Sequence, residues 1–376
     1  AIAIIGTAGA GVTGMRALQG AIIVAGVVEV LIGYLGLFGR LKRYIGPAII
    51  AVVISLIGLA LISVPQITSS SQNWYLAGLT LVLIVLFSQY LDDYSRAFKL
   101  FPVLLGLGLA YLLALVLSVA GVVSIVNLAP VANAPIVRVI TPFQWGMPLF
   151  TGSFIVGMFA GMLASAIESF GDYHSVARMA GEGAPNKRRV NHGLGMEGIG
   201  NVFAGIMGTG NGSTSYTENI GAIGITGVAS RYVVQIGAAV MLVVGFVGYF
   251  GQLIATIPDP IVGGLYIAMF GQIVAVGLSN LEYVDLNSSR NVFVVGIALF
   301  TGLAIPAYMG NVGSAEAFRQ GMGSVAVLGP ALGARAIADT IYVIGSTGMA
   351  VGGLVAFVLD NTIEGTREER GLVEWE

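Results

Sequence analysis

Six stretches of this chain run without a single Asp, Glu, Lys or Arg: 44–91, 100–137, 139–167, 232–258, 291–315 and 340–359. No water-facing surface can be assembled from such runs. A soluble domain carries about 25% charged residues, whereas 10% of these 376 residues are charged and 56% are hydrophobic. A soluble enzyme, a nucleic-acid binder and a disordered chain are thereby excluded. The pattern predicts an all-α integral membrane protein. At about 20 residues per crossing plus a connection, the length allows roughly 11 to 14 spans.

Hydropathy places spans near 17–38, 45–64, 74–90, 101–124, 149–173, 194–208, 219–229, 232–255, 261–279, 291–309 and 338–359. The segments 194–208 and 219–229 are too short to cross about 30 Å of hydrocarbon alone. They bracket a polar, glycine-rich stretch, 209–217, and irregular backbone at membrane depth persists only where protein buries it or where it lines a cavity. A helix break is therefore expected over 209–221, with residues 213–216 extended and a helix starting near Glu218. An ordinary extramembrane loop is the alternative.

Basic residues set the orientation. With alternating spans, 13 of the 17 Lys and Arg residues, including Arg40, Arg96, Arg178, Lys187 and Arg290, fall on one side, which predicts a cytoplasmic C-terminus. The connection 127–148 then faces outward. Because the chain opens on an apolar run without Met, its first residues read as the tail of a span whose beginning is absent. The 55 glycines, about twice the usual share, point to close helix packing. No cysteine and two histidines leave no disulfide or histidine-based metal site to expect. Neither His174 nor His192 is a strong candidate for function.

The chemistry lies in acids within apolar surroundings, which are costly there and functional by default. Glu168 and Asp172 stand four residues apart, on one helix face. Glu197 follows in the next short span, and Glu218 opens the one after. For Asp172 and Glu197 the alternative is a place at the cytoplasmic boundary; Glu29, in another apolar run, suits a structural role. A helix starting at Glu218 would present free N–H groups and its positive dipole end to the polar stretch. Two carboxylates beside such a terminus suit a flat heterocycle with alternating N–H and C=O groups. A small anion would want cations, and no Lys or Arg occurs in 191–230.

The segment Glu218-Asn219-Ile220-Gly221-Ala222-Ile223-Gly224-Ile225-Thr226-Gly227 resembles the signature of the nucleobase/ascorbate transporter family (nucleobase:cation symporter-2): Gln, Glu or Pro, then Asn-x-Gly, four variable residues, Thr, then Arg, Lys or Gly. The acidic motif around Glu168 is similar to the family's other binding motif. Stretches such as 208–214, 257–264 and 285–291 are similar to the vertebrate vitamin C transporters of that family. The resemblance runs from about Arg16 to the end. It implies 14 segments in two inverted repeats of seven, a core and a gate domain, and two broken segments combining a short strand with a half-helix. About three spans would then be missing here. Residues 1–43 would end the third and form the fourth span of the core, with the rest of the core and the substrate site in 149–257. Gate parts would fall at 44–126 and 258–360, and 361–376 would be a cytoplasmic tail.

The resemblance further implies an ion-coupled symporter in the cell membrane, importing a nucleobase such as uracil or xanthine, with no cofactor beyond its coupling ion and working as a homodimer without nucleic acid. By family correspondence Glu168 and Glu218 would bind the base, Tyr216 and Thr217 would offer backbone groups, and Asn219 would support the strand–helix junction. Asp172 and Glu197 would serve ion coupling, with a proton favoured over sodium. Ascorbate carriers of the family have Pro at the position of Glu218, and Pro has no side-chain acceptor, so Glu218 favours a nucleobase over ascorbate or another small organic anion. Two alternatives of other classes remain: a membrane-embedded acid/base enzyme, although no nucleophile–base pair accompanies the acids, and a structural membrane scaffold, which the cost of the acids disfavours.

Overall fold

The computed structural model describes residues 11–37, 44–122, 124–183, 185–210, 212, 214–216, 219–220, 223, 227–325 and 329–375. Its main helices are α1 (Val12–Tyr34), α2 (Pro47–Ala60), α3 (Trp74–Val85), α4 (Pro102–Val119), α5 (Gly152–Met179) and α6 (Lys187–Met207). They continue as α7 (Arg231–Gly245), α8 (Gly248–Ala255), α9 (Asp259–Ser279), α10 (Ser289–Val312), α11 (Ala315–Gly323), α12 (Arg335–Gly345) and α13 (Gly348–Thr362). Among the described residues there is no strand; a single antiparallel bridge joins Val137 and Val247. Among the described residues, five helices are long and apolar enough to cross a membrane, six if the bent pair α12–α13 is one span. The protein is a helical, multi-pass membrane protein.

Several expected spans have different bounds. The one near 194–208 is the apolar part of α6, which starts at Lys187 and is therefore not short. Hydropathy hides its first turns because they are basic. They are helical because the Asn186 side chain caps the Arg189 N–H at 2.9 Å. The span expected over 232–255 is two helices, α7 and α8. Extended Val247 separates them where Gly248 N–H donates to Ile136 O and Arg138 N–H to Phe246 O. A Cβ on Gly248 would stand 2.1 Å from Pro135 O, so only glycine permits this approach. The span over 338–359 is bent by 92° between α12 and α13. There Ser346 and Thr347 turn their hydroxyls back onto the carbonyls of Tyr342 and Val343.

The chain divides into two compact units, residues 1–60, 141–217 and 273–376 in one, and 61–140 with 218–272 in the other. In the first, Ile49, Val53 and Leu56 of α2 pack with Ala166 and Phe170 of α5, Leu194 of α6 and Ala298 of α10. Its C-terminal segment is clasped by buried charge. Arg290 and Arg370 each reach Asp360 at 2.9 Å, and Asn291 donates to Glu369 O at 2.7 Å. In the second unit, Leu76 of α3, Ala110 and Ala114 of α4 and Ile261 of α9 form the core. The Tyr111 and Thr256 hydroxyls meet there at 2.6 Å.

Candidate substrate and ion site

The first unit gathers acids and hydroxyls between α1, α5 and α6. Along α5, Glu168 and Asp172 form one stripe and Ser169 and Tyr173 the next, each pair a turn apart. Glu168, Ser169 and Asp172 are 6%, 0% and 4% exposed. Glu197, near the middle of α6, is the hub of the arrangement. Its Oε1 accepts from Tyr173 Oη at 2.5 Å and Ser215 Oγ at 2.9 Å. Its Oε2 accepts from Ser169 Oγ at 2.8 Å and Thr214 Oγ1 at 3.0 Å. The Ser169 and Thr214 hydroxyls are themselves 2.7 Å apart. Four hydroxyls thus fill the acceptor sites of one carboxyl group.

One turn along α6, Asn201 donates to Glu29 Oε2 of α1 at 2.8 Å, and Glu29 is 1% exposed. The helices touch closely enough for this link because glycines line the contact. A Cβ on Gly198 would lie 2.6 Å from Val30 N, so the backbones leave no room for a side chain. Glu29 thus ties α1 to α6, the structural role expected of it.

The C-terminal end of α6 is built to stop. Gly208 takes the left-handed conformation, φ 69°, that ends a helix. The freed carbonyls are taken up by the loop before α5: Phe143 N–H donates to Ile206 O, Gln144 to Met207 O and Trp145 Nε1 to Gly208 O, the last at 2.8 Å. Gln19 of α1 reaches Gly205 O. The chain then passes through Thr214, Ser215 and Tyr216, which have no helical or strand pattern, under the Glu197 carboxyl. The expected break is present on the described part of 209–221.

Of the residues named from sequence, Glu168, Asp172, Glu197 and Tyr216 lie in this unit, with Tyr216 45% exposed. Thr217 and Glu218 lie outside the described residues, as does most of the helix start expected there. Asn219 is exposed, helical, and belongs to the second unit. His174 is buried, its Nδ1 2.8 Å from Phe170 O, and His192 packs against the Tyr34 ring. Sequence reasoning missed Tyr173, Thr214 and Ser215 as partners of Glu197. The only sequence signal for any of them was the spacing that puts Tyr173 one turn beyond Ser169.

Residues 1–310 match the model of a permease family. Solute carrier family 23 member 1 of Rattus norvegicus is 41% identical over 96% of this chain and 62% of its own length. Solute carrier family 23 member 2 of Homo sapiens is 40% identical over 96% of the chain and 57% of its length. Nucleobase-ascorbate transporter 3 of Arabidopsis thaliana is 33% identical, covering 96% and 67%. The chain thus spans about three fifths of the length of the solute carriers it matches. A match of this extent, with the acids gathered around α5 and α6, decides the family: the chain belongs to the nucleobase/ascorbate permeases.

Proposed function

We propose that this chain is the greater part of a secondary active transporter that imports a nucleobase such as uracil or xanthine, coupled to protons. The observation that carries the reading is the set of acids on α5 and α6, with Glu168 and Asp172 buried one turn apart on α5 in the unit that holds the hydroxyl cluster around Glu197. Glu168 and Glu218 accept ring N–H groups in this reading, Tyr216 and Thr217 offer backbone groups, and Asn219 steadies the helix start. The family likeness supports a nucleobase through Glu218, which ascorbate carriers replace by Pro.

A count of hydrogens supports a proton as the coupling ion. Three short contacts join Ser169 Oγ, Thr214 Oγ1 and Glu197 Oε2, and the two hydroxyls bring two hydrogens. If one of the two hydroxyls turns to donate to the other, a third hydrogen on Glu197 Oε2 completes the ring, which gives Glu197 a place for a transported proton. Asp172 is the second coupling group. Alternating access follows as displacement of the core segment 149–257 against the gate segments 44–126 and 258–360 around a midplane site, in a homodimer of the plasma membrane with cytoplasmic C-termini.

The second reading, ascorbate, is favoured by the level of identity to the solute carriers. Uptake of radiolabelled uracil, xanthine and ascorbate by the full-length protein in proteoliposomes separates the two. Saturable uptake of a base is expected; ascorbate uptake without base uptake would replace the proposal.

A further inference from the structure

A cavity of about 280 Å³ lies in the first unit beside Asp172, and neither Glu168 nor Glu197 lines it. On α5 it is lined by Gly171, Asp172, His174, Ser175 and Arg178, a stripe at three- and four-residue steps that runs for about two turns, roughly 10 Å. Its lining includes Ile50 and Ile54 of α2, 0% and 4% exposed. Arg178, Ser279 and Glu282, also in the lining, are exposed. The cavity therefore grades from a buried carboxyl to an open, charged mouth, with hydroxyl, amide and imidazole groups between. It has room and partners for several waters. A Cβ on Gly171 would meet nothing within 4 Å, so the absent side chain there keeps space open.

We propose that this cavity is a hydrated port through which Asp172 takes up and releases its proton on the side of the basic connection 178–189. The proposal rests on the reading of Asp172 as a coupling group. The groups that face Asp172 are Glu168, His174 and Arg178 on its own helix, and Glu282 and Tyr283 from the turn after α9. The lining residues of α2 are uncharged isoleucines. The step is a plain proton transfer: hydronium at the mouth passes a proton along the waters to the carboxylate and is left as water, and the carboxylic acid returns the proton to water by the same path.

The chain has no cysteine, so single cysteines report cleanly once any elsewhere in the full-length protein are replaced. Ser175→Cys probes the wall, Ser279→Cys the mouth, and Ser55→Cys, on α2 but outside the lining and 1% exposed, is the control. With a membrane-impermeant methanethiosulfonate, Ser175→Cys and Ser279→Cys are expected to react at least tenfold faster than Ser55→Cys, from the basic side only. Infrared spectroscopy then reads the acid itself. A carboxylic C=O band that Asp172→Asn removes should shift in D2O, at least tenfold more slowly once Ser175→Cys carries a bulky adduct. Equal labelling rates, labelling from the opposite side, no such band, or exchange unaffected by the adduct would each overturn the port. Neither readout uses substrate, so failed nucleobase uptake with labelling and exchange as expected would strike the transport reading alone.

Discussion

Glu197 holds four hydroxyl contacts at once, so a change to any partner is read by the whole cluster. Tyr173→Phe removes the donor to Glu197 at 2.5 Å together with the hydroxyl's contact to Ser215. It should lower stability by about 1 kcal/mol if the carboxyl is neutral and about 1.5–3 kcal/mol if ionised, measured by unfolding of the detergent-solubilised protein. Glu168→Ala should abolish base uptake while membrane expression persists, and Glu218→Gln, which keeps one acceptor, should harm uptake less than Glu218→Ala. Normal transport by Glu168→Ala would refute its assignment to the base. The acids were legible in the sequence because a carboxyl in an apolar run is conspicuous. Their hydroxyl partners were not. Ser, Thr and Tyr are ordinary on spanning helices, and the fold alone decides that Thr214 and Ser215, after a helix break, come under an acid 17 and 18 residues earlier.

At the scale of helices, α1 and α6 pack through glycine, and the two faces of α6 should answer substitution in opposite ways. Gly198→Ala places a Cβ 2.6 Å from Val30 N and should cost about 1–3 kcal/mol by forcing the backbones apart. Gly200→Ala meets nothing within 4 Å and should be neutral or stabilising by up to about 1 kcal/mol, since alanine is the better helix former. Thermal melting of the two variants checks the contrast, and equal effects would contradict the close contact. Asp360→Ala should be severe, about 3–5 kcal/mol, because it removes the buried carboxylate that two largely covered cations, Arg290 and Arg370, share; a fall in folded yield is its measure. Hydropathy located most of these helices but not their ends. It reads partition, whereas α6 begins in its basic turn through the Asn186 cap, and α7 and α8 part at Val247 through a backbone contact with Ile136 and Arg138. Neither interaction leaves a mark on an apolar average.

For the whole molecule the open question is which gradient does the work, and the chemistry around Glu197 gives a definite expectation. Its ring of three oxygens lacks one hydrogen when the carboxyl is ionised and is complete when it is protonated. In the proposed reading, loading a proton there exchanges a half-buried charge for a closed hydrogen-bond ring and would couple the ion to the shape of the break at 214–216. With one proton moved per base, a gradient of one pH unit supplies about 1.4 kcal/mol, enough for about tenfold accumulation. Full-length protein in proteoliposomes, at clamped membrane potential in sodium-free buffer, should therefore accumulate base about tenfold under an inward proton gradient of one unit. Glu197→Gln cannot accept and release that hydrogen, so it should lose the response to pH while still exchanging internal for external base. Accumulation that required sodium and ignored the pH gradient would transfer the coupling role from the proton to sodium, and would leave the Ser169–Thr214–Glu197 ring as scaffolding for the break.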